Sequence, residues 1–309
     1  NLYLRIYSED DIYYSKMIGV DSPSTFEVKD NKVIYEGTFK SVKYQVILSV
    51  LKEQWIYEVF LDSDNPNTQV DVIYGQDVAI ADKGAVNNNE AYTCQYIDHK
   101  SFKTDLGYTI ASRQNQGTPH FLQQGSLTKT VGYSTDGFQF FGLDYKELNE
   151  PIALKAETLE NKNYQYEYAY TALQSEQLTL NNPQKLVFYG FYKEAIHEVS
   201  ESVRFMDEIM ENYNIAKHDK PLSINGTSLK RSLHIDETLT GKKITEEELA
   251  GLYPSQRHVE KVDNHTLSFF TDNSAHVILK EKERYVERPH GNIVMTGDNL
   301  DYDKPQMAT

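Results

Sequence analysis

Between Gln76 and Gly137 the chain sets out side chains whose types and spacing could do chemistry on a hydroxyl-rich ligand. Gln76-Asp77, Asn89-Glu90-Ala91-Tyr92, Gln95-Tyr96-Ile97-Asp98, Ser112-Arg113-Gln114-Asn115-Gln116 and Gly132-Tyr133-Ser134-Thr135-Asp136-Gly137 follow one another there, and nine Asn and Gln side chains fall between Asn87 and Gln124. An amide offers a donor and an acceptor on one rigid plane, and tyrosine adds a flat apolar face with a hydroxyl tip. That mixture suits a ligand with many hydroxyls and several C–H faces, which describes a sugar. A set of polar turns between strands explains the same composition, and composition alone favours the turns.

A second cluster, Glu287-Arg288-Pro289-His290-Gly291, precedes Thr296-Gly297-Asp298-Asn299. Arg288 and His290 could contact anionic or hydroxylated ligands, or Arg288 could pair with a carboxylate inside a turn. Other chemistry finds little support. No His-Glu-x-x-His, paired Cys-x-x-Cys or EF-hand pattern occurs, so no metal or other cofactor is expected. Gly132–Gly137 is neither a nucleophile elbow nor a phosphate loop, and Thr135-Asp136-Gly137 reads as a tight turn between two strands. Cys94 reads as a small packed side chain. His197, His218, His234, His258 and His265 are scattered and receive no role.

These groups need elements to hold them, and the pattern is mainly β. Val42, Tyr44, Val46, Leu48 and Val50 alternate with polar residues, then Trp55, Tyr57, Val59 and Leu61, then Val70, Val72 and Tyr74 after the turn cluster Asp64-Asn65-Pro66-Asn67. Leu2–Tyr7, Leu106–Ser112, Leu127–Tyr133, Phe138–Phe141, Leu186–Phe191, Thr266–Phe270 and Ala275–Lys280 also read as strands. Tyr164, Tyr166, Tyr168 and Tyr170 would share one face of a strand, as a sugar-stacking platform or, by the better-supported reading, as sheet interior. Two helices are predicted, one longer from Val199 to Tyr213 and one short behind a Thr245/Glu248 capping box, closed by Gly251 and Pro254. Many short strands separated by turns predict an antiparallel sandwich. The expected domains are a β-sandwich over 1–195, a helical and connecting segment over 196–260, and strands over 261–309 that rejoin the sandwich and lead toward a catalytic domain absent from this chain.

The 309 residues carry a formal charge of −15, which argues against nucleic acid and anionic membrane as partners. With a single cysteine no intrachain disulfide forms, and a cytoplasmic location is expected. No apolar run is long enough to span a bilayer. Asn1 opens directly on a strand pattern and Thr309 carries no stop signal, so the chain reads as part of a longer polypeptide.

Taken in order, Gln76-Asp77, Asn89-Glu90-Ala91-Tyr92, Gln95-Tyr96-Ile97-Asp98, Arg113-Gln114-Asn115-Gln116, Leu127-Thr128-Lys129, Val131-Gly132-Tyr133, Thr135-Asp136-Gly137, Tyr164-Gln165-Tyr166-Glu167 and Glu287-Arg288-Pro289-His290-Gly291 resemble the N-terminal region of 1,2-β-oligoglucan (sophorooligosaccharide) phosphorylases of glycoside hydrolase family 94. The resemblance runs from the Trp55 strand to the Gly297-Asp298 turn, and is weaker over the first fifty residues and over Ala216–Thr240. It implies a super-β-sandwich of the galactose mutarotase-like kind, ahead of a helical linker and an (α/α)6 catalytic barrel. It also implies inverting phosphorolysis of β-1,2-glucooligosaccharides, in which an aspartic acid protonates the leaving oxygen while inorganic phosphate, the co-substrate, attacks to give α-glucose 1-phosphate. That acid belongs to the barrel, so no catalytic residue is expected in this chain. The family's homodimers bring the sandwich of one subunit to the active site of the other. Glu90, Tyr92, Tyr96, Arg113, Asn115 and Gln116, with Arg288 and His290, are therefore expected at a glucan-binding surface or a subunit interface; a buried polar network at strand ends is the alternative. Two other functions stay open: a stand-alone carbohydrate-binding sandwich, and a mutarotase-like epimerase using Glu90 or Glu167 with His290.

Overall fold

A computed structural model of the chain describes residues 1–166, 168–228, 244–262, 264–272, 276–280 and 291–295. Seven strands open it: Leu2–Tyr7 (β1), Ile12–Lys16 (β2), Thr25–Lys29 (β3), Lys32–Phe39 (β4), Val42–Val50 (β5), Gln54–Ser63 (β6) and Thr68–Asp77 (β7). Helix Lys83–Cys94 (α1) precedes Ile97–Thr104 (β8), Gly107–Gln114 (β9), Phe121–Ser126 (β10) and Thr130–Ser134 (β11). Short helices Gly137–Phe141 (α2) and Tyr145–Leu148 (α3) and a 3-10 turn at Ile152–Leu154 follow, then Tyr170–Ser175 (β12), Leu178–Leu180 (β13), Gln184–Lys193 (β14), helix Met206–Ala216 (α4) and Thr227–Ser228 (β15). Helix Glu246–Leu252 (α5) comes before Arg257–Val262 (β16), His265–Phe270 (β17), His276–Lys280 (β18) and Gly291–Met295 (β19).

The strands up to β15 build an antiparallel sandwich. One sheet runs β11-β12-β7-β1-β2 with β13 also on β7, and the other runs β15-β3-β4-β5-β6-β14-β10-β9-β8. Leu2, Leu4, Val70, Val72 and Leu173 from the first sheet pack against Val46, Val59, Leu61, Ile110 and Phe188 from the second. Period-two alternation sends those side chains inward. Their neighbours are buried too, because each sheet is covered outside. Ile56, Val187 and Phe191 meet Ile209 and Ala216 of α4, while Tyr3, Ile73 and Tyr170 meet Phe140 and Phe141 of α2. Both faces being covered is why apolar Ile56 and Ile73 stand between the inward-facing residues of β6 and β7.

Contacts divide the chain into Asn1–Lys230 and Arg231–Thr309. In the second unit β16, β17, β18 and β19 pair in that order, with β18 and β19 parallel. The capping box at α5 is present, Thr245 Oγ1 accepting from the Glu248 amide at 3.2 Å and Glu248 Oε2 accepting from the Thr245 amide at 3.0 Å. It seats Leu249 against Phe269, Val277 and Leu279.

The mainly β sandwich agrees with the pattern reading, and four local expectations are corrected. Phe138–Phe141 lies in helix α2, because the Asp136 carboxylate caps it by accepting from the Phe138 amide at 2.8 Å. Adjacent Phe140 and Phe141 are buried while Phe138 is exposed, a helical rather than an alternating pattern. Consequently Thr135-Asp136-Gly137 is a helix start, not a hairpin turn. The four alternate tyrosines do not share a strand: only Tyr170 enters β12, while Tyr166 and Tyr168 are exposed. Thr135 holds that segment off the ladder, its Oγ1 accepting from the Tyr164 amide at 2.8 Å and donating to the Tyr164 carbonyl at 2.9 Å. Helix α4 starts at Met206 instead of Val199. Gln123 clamps the backbone of Arg204 through its amide and carbonyl, at 2.9 and 2.8 Å, and Phe205 takes a left-handed φ of 60°. Finally α1 itself was unforeseen, since its polar sequence carries no apolar stripe.

Candidate functional site

The conformation of α1 begins with Asn89, whose φ of −162° and ψ of 93° interrupt the helix. Its Oδ1 accepts from the Tyr92 amide at 3.0 Å, restarting the helix as a cap would. Gln95 keeps helical angles after Cys94, so Tyr92 and Tyr96 stand four residues apart on one face. Their rings meet at 5.2 Å and 66°, and Tyr96 donates its hydroxyl to the Tyr92 oxygen at 3.0 Å. As acceptor from Tyr96, and with help from the Gln116 side chain, Tyr92 has its phenol pKa lowered. That of Tyr96, the donor, is raised. Three expected residues, Tyr92, Tyr96 and Gln116, therefore come together, with exposed Glu90 on the same helix.

What holds them is a residue outside the expected set. Buried Gln114 donates through Nε2 to the Thr93 carbonyl at 3.1 Å, and its Oε1 accepts from the amides of Asn115 and Gln116, both at 3.0 Å. The Asn115 amide also reaches the Tyr96 carbonyl at 2.9 Å. This ties the loop after β9 to the end of α1, and Gly117 at φ +71° turns the chain back. Arg113 does not join this group. One residue earlier on the strand, it leaves the opposite face, and its Nη1 donates to the His197 carbonyl at 3.1 Å.

A segment of loop completes the surface. Gln165 Nε2 donates to the Gln95 carbonyl at 2.7 Å and Asn163 Nδ2 to the His99 carbonyl at 3.1 Å. The loop that carries Tyr164 and Tyr166, stacked at 5.9 Å and 26°, is thereby tied to the end of α1 and to β8. Tyr168 lies flat on Phe141 at 5.7 Å and 5°. Its phenol pKa is pushed up to about 12, by burial first and then by carboxylates that include Asp77 and Glu90. At the end of β7, desolvation and the Glu90 charge raise the Asp77 carboxyl.

A hydrogen-bonded chain missed by the sequence reading lies at the start of α1. Tyr192 Oη meets His120 Nδ1 at 2.6 Å, His120 Nε2 meets Asp82 Oδ1 at 3.3 Å, and Thr118 Oγ1 donates to Asp82 Oδ2 at 3.4 Å. Bonds from His120 and Thr118 lower the Asp82 carboxyl; burial, then Glu194 and Asp82, raise Tyr192. No local motif announces this triad, because its members come from three separate elements. His99 and Ser112 form a buried pair at 2.8 Å, and burial lowers His99 to about 4, so its imidazole is neutral at pH 7. Arg288 and His290 lie outside the described residues, as does Glu167. Among the described residues no group of three or more metal-ligating side chains converges.

The SOGP N-terminal domain model matches residues 1–190, and the glycoside phosphorylase supersandwich domain model matches 253–309. A 1,2-beta-oligoglucan phosphorylase of Listeria innocua is 34% identical over 308 residues, which is 99% of this chain and 27% of that protein. The chain thus spans about a quarter of the relative's length. Among solved structures, a bacterial glucoamylase complexed with acarbose shares 10% identity over 69% of this chain and 29% of its own, with a TM-score of 0.42. A putative kojibiose phosphorylase from human microbiome shares 14% over 69% and 24% (0.34), and a putative aldose 1-epimerase from Escherichia coli K12 shares 5% over 61% and 78% (0.31). At those scores the structural likenesses bear on neither function nor site.

Proposed function

Because this chain belongs to the family of SOGP N-terminal domains, we propose that it is the N-terminal, non-catalytic portion of an inverting phosphorylase. The parent enzyme would cleave β-1,2-glucooligosaccharides with inorganic phosphate to α-glucose 1-phosphate, in the cytoplasm and without a further cofactor. The observation that carries this reading is the 34% identity to a 1,2-beta-oligoglucan phosphorylase along 99% of the chain. Within the parent, the Tyr92–Tyr96–Gln116 surface and Arg113 serve substrate positioning and homodimer assembly, beside a helical catalytic domain that supplies the general acid.

The test uses the full parent polypeptide with sophorooligosaccharides and phosphate. Release of α-glucose 1-phosphate supports the reading; hydrolysis to glucose alone, or no reaction, removes it. Within an active parent, Tyr92→Ala and Arg113→Ala separate the finer roles. A raised KM at constant kcat marks substrate positioning, and a shift from dimer to monomer marks assembly. If both variants keep parental kinetics and dimerisation, neither role stands.

A further inference from the structure

Of the four tyrosines that the sequence pattern assigned to one strand face, Tyr170 is sheet interior, Tyr164 is half-buried, and Tyr166 and Tyr168 are exposed. Tyr166 is 55% exposed and Tyr92 46%, and the Gln165–Gln95 and Asn163–His99 bonds draw the 163–166 loop against the end of α1. The segments that carry the two tyrosine pairs are thus joined, although they lie about seventy residues apart in sequence. Glu90 also lies near enough to Tyr168 to raise its phenol. The result is a surface in which exposed Tyr92 and Tyr166 and half-buried Tyr96 and Tyr164 are carried on two segments joined by those bonds, with exposed Glu90 on α1 and the Gln116 side chain bonded to Tyr92.

We propose that this surface is an extended binding site for a neutral β-glucan chain, engaging more than one glucose unit and lying on the sandwich itself. The proposal rests on the phosphorylase reading for its choice of glucan linkage, but not for the existence of the site. Aromatic faces suit the C–H faces of successive glucose rings, while phenol hydroxyls, the Gln116 amide and the Glu90 carboxylate suit their hydroxyls. The side chains are already ordered. Tyr96 is bonded to Tyr92, Tyr164 is stacked on Tyr166, and the Gln116 backbone is fixed by buried Gln114. Binding therefore loses little side-chain entropy, as in recognition surfaces built from tyrosine. Two separate pairs, rather than one, favour a chain over a single sugar.

The experiment titrates the 309-residue chain with sophorooligosaccharides of increasing length, by calorimetry and tyrosine fluorescence. Affinity should rise with chain length. Tyr166→Ala and Tyr92→Ala should each weaken binding of the longer oligosaccharides about tenfold, and Tyr96→Phe, which keeps the ring and loses the donated hydroxyl, by a smaller factor. Circular dichroism of each variant checks that the sandwich is folded. Absence of binding by the folded chain overturns the proposal, as does binding that all three variants leave unchanged. So does a self-association, seen by sedimentation, that the variants abolish without any glucan effect, because the occupant would then be a second copy. Maltooligosaccharides serve as the linkage control. Binding of them as tight as that of the β-1,2 series overturns the choice of β-glucan. Failure of the parent to release glucose 1-phosphate would remove the phosphorylase reading while leaving tyrosine-dependent glucan binding in place.

Discussion

Arg5 and Asp71 sit opposite one another on β1 and β7 and close a two-pronged ion pair, Nε to Oδ1 at 2.7 Å and Nη2 to Oδ2 at 2.5 Å. Both side chains are essentially inaccessible to solvent. The guanidinium also donates to the Ala156 carbonyl, and Gln174 Nε2 donates to Asp71 Oδ2 at 2.9 Å. Removing one charge strands the other in a medium that solvates it poorly. Asp71→Asn should therefore cost about 3–5 kcal/mol of unfolding free energy, read as a lower urea midpoint at constant slope. The double variant Arg5→Met/Asp71→Leu should cost less than Asp71→Asn and Arg5→Met summed, because it leaves no uncompensated charge.

Gly190 and Trp55 face each other across β14 and β6. A methyl group added at Gly190 would stand 2.1 Å from the indole carbons Cε2 and Cζ2. Trp55 would have to move and give up the 2.7 Å bond from its Nε1 to Tyr74 Oη, which links the two sheets. Gly190→Ala should destabilise the sandwich by about 1–3 kcal/mol. The chain has one tryptophan, so a change in native emission would report the displaced ring directly. Unchanged stability and emission would mean that the strand relaxes around the methyl group.

His99 gives the sandwich a pH dependence of definite sign. Burial lowers its folded-state pKa from 6.5 to about 4, so below pH 6.5 the unfolded chain takes up a proton that the native imidazole refuses. Stability is therefore constant in this respect above pH 6.5 and falls between pH 6.5 and about 4, by about 3 kcal/mol at most. His99→Gln, compared with the parent sequence at pH 7.5 and pH 5, should show a smaller loss on acidification. Parallel losses in the two proteins would show that His99 does not contribute.

Arg113 is tied to the 194–205 segment through the His197 carbonyl. Ile196 is held as well, its amide donating to the Pro119 carbonyl at 3.0 Å. Arg113→Ala should free that segment, with amide exchange at Ile196 about tenfold faster and little change in global stability, since local openings are governed by local contacts. Exchange that stays at the parental rate would mean that the Pro119 contact alone holds the segment.

The strand patterns of β5, β6 and β7 were readable because period-two sterics act within a few residues, and the capping box at Thr245 and Glu248 because both partners lie in one turn. The start of α4 was misplaced by seven residues, since what ends its pattern is Gln123, a side chain from β10. The candidate site divided in the same way. The residue types of Tyr92, Tyr96 and Gln116 marked them for a common surface, whereas the pairing of the two tyrosines depends on α1, which no apolar stripe announces. Arg113 and Gln114, adjacent in sequence, part to opposite faces of β9 once the strand is fixed.

The sequence by itself determined the β-sandwich class, the family likeness and the concentration of amides and tyrosines between Gln76 and Gly137. Tertiary structure alone decided which of those groups meet. It set Gln165 on Gln95 across 70 positions and His120 between Asp82 and Tyr192 across 38 and 72. It also turned Tyr164 and Tyr166 away from the sheet. Local patterns fix the direction in which a side chain leaves its own element, but the neighbour it meets depends on sheet pairing between distant segments, which no local period encodes.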